Sequence, residues 1–130
     1  MQTPTESSTT QRQPAQMNDG GLLSSRERIC RLNDRLRKTL LGGRVMLTPG
    51  VQSLDETLRA ALFAEVKNFD AFTAANDPYA EHDFGRVVVD GQGYFFKIDY
   101  YDLDLQHGSP DPSDEGVTAR IMTIMREDEY

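Results

Sequence analysis

Residues 84–101 constrain the fold more than any other stretch of the chain. Phe84 to Asp90 and Gly93 to Tyr101 are rich in Val, Phe, Ile and Tyr, and Asp90-Gly91 lies between them. Aspartate followed by glycine suits the tight turns that join antiparallel strands, so the stretch is predicted to be a β-hairpin. Side chains alternate along a strand. Tyr94, Phe96, Ile98 and Tyr100 therefore share one face, and Phe95, Lys97, Asp99 and Tyr101 share the other. The first face suits packing under helices, and the second is expected to be partly exposed.

Two helical patterns precede the hairpin. Ser24 with Glu27 three residues later forms a capping box, in which side chain and backbone satisfy each other's orphan groups. Ile29, Leu32, Leu36 and Leu40 then repeat at helical spacing, and Gly42-Gly43 supplies a stop. Arg44 to Thr48 reads as a short strand closed by Pro49-Gly50. Ser53 with Glu56 suggests a second capping box. Leu54, Leu58, Leu62, Val66 and Phe69 extend a stripe toward Phe72, and Asn76-Asp77-Pro78 would end that helix. After a polar loop, the β-branched residues of Val117 to Met125 favour a strand over a helix. The expected fold class is α+β, with two helices packed on one face of a small three- or four-stranded, mostly antiparallel sheet. Residues 24–130 would form that single domain. Residues 1–23, rich in Thr, Ser, Gln and Pro, are expected to be a disordered polar tail.

The chain has one cysteine, Cys30, so an internal disulfide is excluded and a reducing compartment is expected. Cys30 reads as core filler. No stretch reaches the roughly 20 apolar residues needed to cross a bilayer, and the first 20 residues hold no signal sequence. The expected localisation is cytoplasmic, with no membrane partner. The net charge is −7, which opposes general attraction to nucleic acid. Seven basic residues lie between Arg26 and Arg44, against Glu27 and Asp34. Eleven acidic residues lie between Asp70 and Glu115, against Arg86 and Lys97.

Two polar clusters could carry chemistry. In the first, Asp77, Tyr79, Glu81, His82 and Asp83 crowd one connection. It reads as a metal or acid–base site with His82 as ligand or base, as a surface for a partner, or as a capped turn bonding its own backbone. Metal sites usually repeat His or Cys at fixed spacing. This chain has only His82 and His107, so no metal ligand set, catalytic residue or cofactor is assigned. In the second cluster, Lys97, Asp99, Tyr101, Asp102 and Asp104 display carboxylates and aromatic rings together. Such a surface can meet a basic partner, or simply protect an edge strand from unwanted pairing. On the first helix, Arg28, Arg31, Arg35 and Lys38 form a flank that could contact phosphates, although direct nucleic-acid binding is disfavoured by the acidic whole.

The strings RICRLNDRLRKTLLGGRVMLTPGV, FDAF, NDPYAEHDFG, FFKIDYYD and GSPDP, with the ending IMTIMREDEY, resemble a bacterial family. It is known as domain of unknown function thirty-seven sixty-eight. The resemblance covers about residues 26–130. It implies a small cytoplasmic bacterial protein of the kind frequent in alphaproteobacteria and on their mobile elements, and it assigns no catalytic residue. The leading expectation is a small acidic protein-interaction module, used by a mobile element to inhibit a host defence such as restriction or CRISPR. Its partner would be a protein, in particular a basic nucleic-acid-handling complex. The alternatives are a small metal-dependent enzyme centred on Glu81, His82 and Asp83, and a DNA-contacting regulator using the basic first helix. The oligomeric state is open.

Overall fold

The computed structural model describes residues 23–130. The polar tail expected over residues 1–23 lies, except for Leu23, outside them. In chain order the elements are α1 (Ser25–Thr39), β1 (Arg44–Leu47), α2 (Pro49–Gln52), α3 (Glu56–Asn68), β2 (Phe84–Val89), β3 (Gln92–Tyr101) and β4 (Ala119–Arg126), followed by a 3-10 turn over Glu127–Glu129. None of the helices among the described residues is long and apolar enough to cross a membrane.

The four strands form one sheet in the order β1-β4-β3-β2. The hairpin pairs β2 with β3 in antiparallel register, Phe84 opposite Lys97 and Val89 opposite Gln92. Its turn residues Asp90 and Gly91 both take positive φ, 52° and 77°, as a tight hairpin turn requires. β4 runs antiparallel to β3, and β1 runs parallel to β4, so the sheet is mixed but mostly antiparallel. One face carries Val87, Val89, Tyr94, Phe96, Ile98, Met122 and Ile124, and these pack with Leu36 of α1, Val51 of α2 and Leu62 and Val66 of α3. The α+β fold with helices on one face is the arrangement that the alternation on β3 implied.

Several boundaries differ from the sequence reading. The capping box Ser24–Glu27 forms as expected. The end of α1 does not use the glycines, because Leu40 itself takes the left-handed conformation (φ 63°) and donates its N–H to Leu36 O at 2.8 Å. The last residue of the expected stripe is consequently exposed. Ser53 does not cap α3. Pro49-Gly50-Val51-Gln52 folds into a turn of helix instead, with proline at its first position. Ser53 closes that turn, and Asp55 takes over as N-cap by accepting from Leu58 N at 2.8 Å.

The largest difference is at the other end of α3, which stops at Asn68 rather than continuing past Phe72. Arg37 of α1, only 1% exposed, donates from Nη1 to the carbonyls of Val66, Lys67 and Phe69 at 3.0, 3.1 and 3.0 Å. The last carbonyls of a helix have no partner within it, and here a guanidinium from another helix supplies one. The stop is thus tertiary, and residues 69–83 are released as a connection to β2.

Gly85, opposite Phe96 in the hairpin register, is required by packing. A Cβ there would run into the Phe96 ring and come to 2.9 Å from Cε2 of Phe69. Phe69 and Phe96 are already in edge contact, with centroids 5.4 Å apart. Alanine normally suits a strand better than glycine, so the sign of a substitution tells whether packing dominates. Gly85→Ala is expected to lower unfolding stability by about 1–3 kcal/mol, read from urea denaturation; a neutral or stabilising result would refute the close approach.

Candidate functional site

The connection from α3 to β2 is built around the carboxylate of Asp77, which is 7% exposed. It accepts from the backbone N–H of Glu81 at 3.1 Å and of His82 at 3.3 Å. Upstream, Thr73 and Asn76 exchange side-chain and backbone hydrogen bonds and close a small loop. Downstream, Ala80 and His82 both take positive φ, 55° and 57°. That region is costly for residues with a side chain and persists only where the surroundings enforce it. The Asp77 carboxylate, by fixing both N–H groups, is what enforces it here.

The enforced backbone turns the His82 ring onto α1. Its Nδ1 lies 2.9 Å from Asp34 Oδ1, and its Nε2 lies 3.8 Å from Asp77 Oδ2. The ring stacks flat on Phe72, with centroids 3.9 Å apart and planes 4° from parallel. Asp34 Oδ1 also accepts from Arg37 Nη2 at 2.8 Å. Partial burial would raise the Asp34 carboxyl, but hydrogen bonds from His82 and Arg37 outweigh it and hold the group below its usual range. Cys30 stands one helical turn before Asp34, its Sγ 3.9 Å from Oδ2. It is half-buried beside this cluster rather than set in the core as expected. Burial, with the nearby Asp34 and Asp77 carboxylates, pushes its thiol up to about 11. An unassisted thiol of that kind is a poor nucleophile at neutral pH. A groove of about 390 Å³ opens beside these residues, lined also by Ser24, Arg26, Glu27, Arg31 and Ala80.

Glu81 and Asp83 do not share the His82 site. Glu81 accepts from the Tyr100 hydroxyl at 2.7 Å, and Asn33 of α1 donates to both Tyr100 Oη and Glu81 O. Asn33 Oδ1 in turn accepts from Nε of Arg120, which is 2% exposed and also donates to the Pro112 carbonyl. Asp83 is half-buried, and burial followed by the Glu81 charge raises its carboxyl. Its backbone carbonyl accepts from Ile98 N. Tyr79 is exposed at 61%, with Arg26 over its ring.

The second predicted cluster lies on the sheet face that, among the described residues, carries no helix. Lys97 and Asp99 pair there at 3.3 Å, and Tyr101 follows them at the exposed end of β3. The loop beyond spends its carboxylates on turns. Asp102 accepts from Gln106 N, Asp111 from Ser113 N and Oγ, and Asp114 from Gly116 N. Asp104 is exposed. Of the basic flank of α1, Arg28 donates to Leu23 O and Arg35 pairs with Glu115 at 2.7 Å. The residues that sequence reasoning missed are Asn33, Asp34, Arg37 and Arg120. A weak signal existed, because Asn33 and Arg37 lie on the same face as Ile29 and Leu36.

The family model described as "Protein of unknown function (DUF3768)" matches residues 47–129. That segment includes His82 and strands β2, β3 and β4, but only the last residue of β1 and none of α1. No curated protein and no solved structure matches the chain.

Tyr100 offers a pH test of the Asn33–Tyr100–Glu81 network. Burial and then the Glu81 carboxylate raise the phenol above its ordinary value of 10.0. The folded protein therefore keeps the Tyr100 proton at pH values where the unfolded chain has lost it, so this contribution is full below about pH 10 and lost above it. Tyr100→Phe is expected to cost about 1–2 kcal/mol at neutral pH. The gap from wild type should stay constant up to about pH 10 and narrow progressively as the pH rises above it, measured by urea unfolding at each pH.

Proposed function

The chain belongs to the DUF3768 family, to which no activity is attached, and we propose that it is a protein-interaction module that docks a basic partner on the helix-free face of its sheet. The observation that carries the reading is the one-sided sheet. Helices cover one face, while the other leaves Met46 52%, Val88 51%, Tyr101 37% and Tyr130 74% exposed. Isolated exposed apolar residues are ordinary, but a group on one continuous sheet face is the usual mark of an interface. Phe84, Phe95 and Tyr130 cluster there with ring centroids 5.0–5.9 Å apart, which gives a preformed aromatic platform. Aromatic side chains of this kind supply much of the energy at protein interfaces.

Charge chooses among partners. The protein carries −7 overall. Asp99 lies on the platform's own face, and the acidic loop 102–115 leaves the sheet at the Tyr101 end, with Asp104, Asp111, Asp114 and Glu115 exposed. Complementarity then favours a positively charged protein surface, of the kind that nucleic-acid-handling enzymes present, and speeds encounter with it. An inhibitor of a host defence nuclease or restriction complex is the biological form of this reading that suits the small size and the acidic loop.

The variant that tests it must spare the carboxylates that build turns, so Asp99 and Asp104 are replaced rather than Asp102. Affinity capture from the native host would compare wild type with Asp99→Lys/Asp104→Lys and with Tyr101→Ala. Wild type is expected to retain a basic nucleic-acid-handling protein that both variants lose, with retention falling as salt rises. Equal recovery by all three, at all salt concentrations, would overturn the reading.

A further inference from the structure

We propose that Cys30, Asp34 and His82 form a zinc-binding site with three protein ligands and a fourth position open to the adjoining groove. The three ligand atoms, Cys30 Sγ, one Asp34 carboxylate oxygen and one His82 ring nitrogen, all lie within 4.8 Å of one another. Zinc bonds of about 2.0–2.3 Å in a tetrahedron set ligand atoms about 3.3–3.8 Å apart. The observed 2.9 Å between His82 Nδ1 and Asp34 Oδ1 and 3.9 Å between Cys30 Sγ and Asp34 Oδ2 bracket that range. Small rotations of three side chains, with no backbone movement, would seat the ion.

The placement arises from two elements far apart in sequence. Cys30 and Asp34 are four residues apart on α1 and therefore face the same side. His82 is brought to them by the Asp77-held loop 48 residues later. Arg37 anchors Asp34 through Oδ1 and leaves Oδ2 directed at Cys30. Behind the imidazole, the Asp77 carboxylate stands 3.8 Å from Nε2 and is 5% exposed on its side chain. A carboxylate on the far nitrogen is how proteins commonly fix the tautomer and orientation of a zinc-bound histidine. Phe72, flat against the ring, restricts it further.

The ligand chemistry selects the metal. A thiolate and an imidazole suit zinc and other borderline ions, whereas calcium and magnesium prefer oxygen alone. One thiolate and one carboxylate also balance the two charges of the ion. The remaining coordination position faces the groove of about 390 Å³, where a water molecule has room to bind. A site with three protein ligands and one open position is the form in which zinc activates water, while purely structural sites are closed.

The test is a zinc titration of the full chain after chelator treatment, read by competition with a chromophoric chelator, and repeated with Co²⁺ as a spectroscopic probe. One equivalent should bind, with a sulfur-to-cobalt charge-transfer absorption. Cys30→Ser and His82→Gln should each weaken zinc binding at least tenfold, and Asp77→Asn about tenfold. His107→Ala should leave it unchanged. Circular dichroism of each variant confirms folding, and Cys30→Ser, the smallest change, serves as the reference if another variant unfolds. Absence of one-equivalent binding by wild type, or equal binding and equal cobalt absorption in Cys30→Ser, would overturn the assignment.

Discussion

The guanidinium of Arg37 is the interaction on which the rest of the architecture depends. Burying a charge is costly unless it is paired and hydrogen-bonded. Arg37 meets three carbonyls at the end of α3, the Asp34 carboxylate, and the faces of Phe72 and Phe96 at 5.3 and 5.7 Å. Each of these partners belongs to a different part of the chain. The first group terminates α3 and docks it against α1. Asp34 holds the His82 ring. The two phenylalanines connect the helix pair to the centre of the sheet. A lysine could supply the charge, but it lacks the planar fork that reaches carbonyls and a carboxylate together.

A second buried guanidinium performs the matching task one turn earlier, at the middle of α1. Arg120 of β4 binds Asn33 and the Pro112 carbonyl, and lies 5.1 Å from the Tyr100 ring. Asn33 and Asp34 are adjacent residues of one helix, so the two networks meet there. One turns inward to the sheet through Tyr100 and Glu81, and the other turns outward to His82 and the groove. The loop 69–83 is consequently fastened at three points, on Arg37, on Asp34 and on Tyr100. That fastening is what sustains two left-handed residues, Ala80 and His82, in a segment with no regular structure.

What the sequence revealed and what it concealed divide along the same line. The hairpin, the first capping box and the strand character of the C-terminal segment rest on signals a few residues long, and the structure contains all three. The capping residue of α3 was obscured because two acceptable caps stand two residues apart. The choice between Ser53 and Asp55 is made by the turn Pro49–Gln52, which draws Ser53 Oγ to Gly50 O at 2.9 Å. The end of α3 was illegible for a stronger reason: its determinant, Arg37, lies about thirty residues upstream and resembles any surface arginine of a basic helix. For the same reason His82 could be singled out while its partners could not. Its sequence neighbours Glu81 and Asp83 point elsewhere, and Cys30 and Asp34 reach it only through the fold.

The charge gradient along the chain takes on a different meaning once the partners are known. The basic stretch 26–44 and the acidic stretch 70–115 look like two surfaces of opposite sign. In the folded protein they partly cancel, because Arg35 meets Glu115, Arg37 lies inside, and α1 packs beside the acidic connection through His82 and Asp34. Several carboxylates of the loop 102–115 also organise its turns. An aspartate that accepts a backbone N–H keeps its full charge, so a turn-building role does not remove it from the electrostatic surface. The acidic loop is therefore rigid and negative at once. Rigidity lowers the entropy lost when a surface is ordered against a partner, and here it comes from the same carboxylates that would attract one.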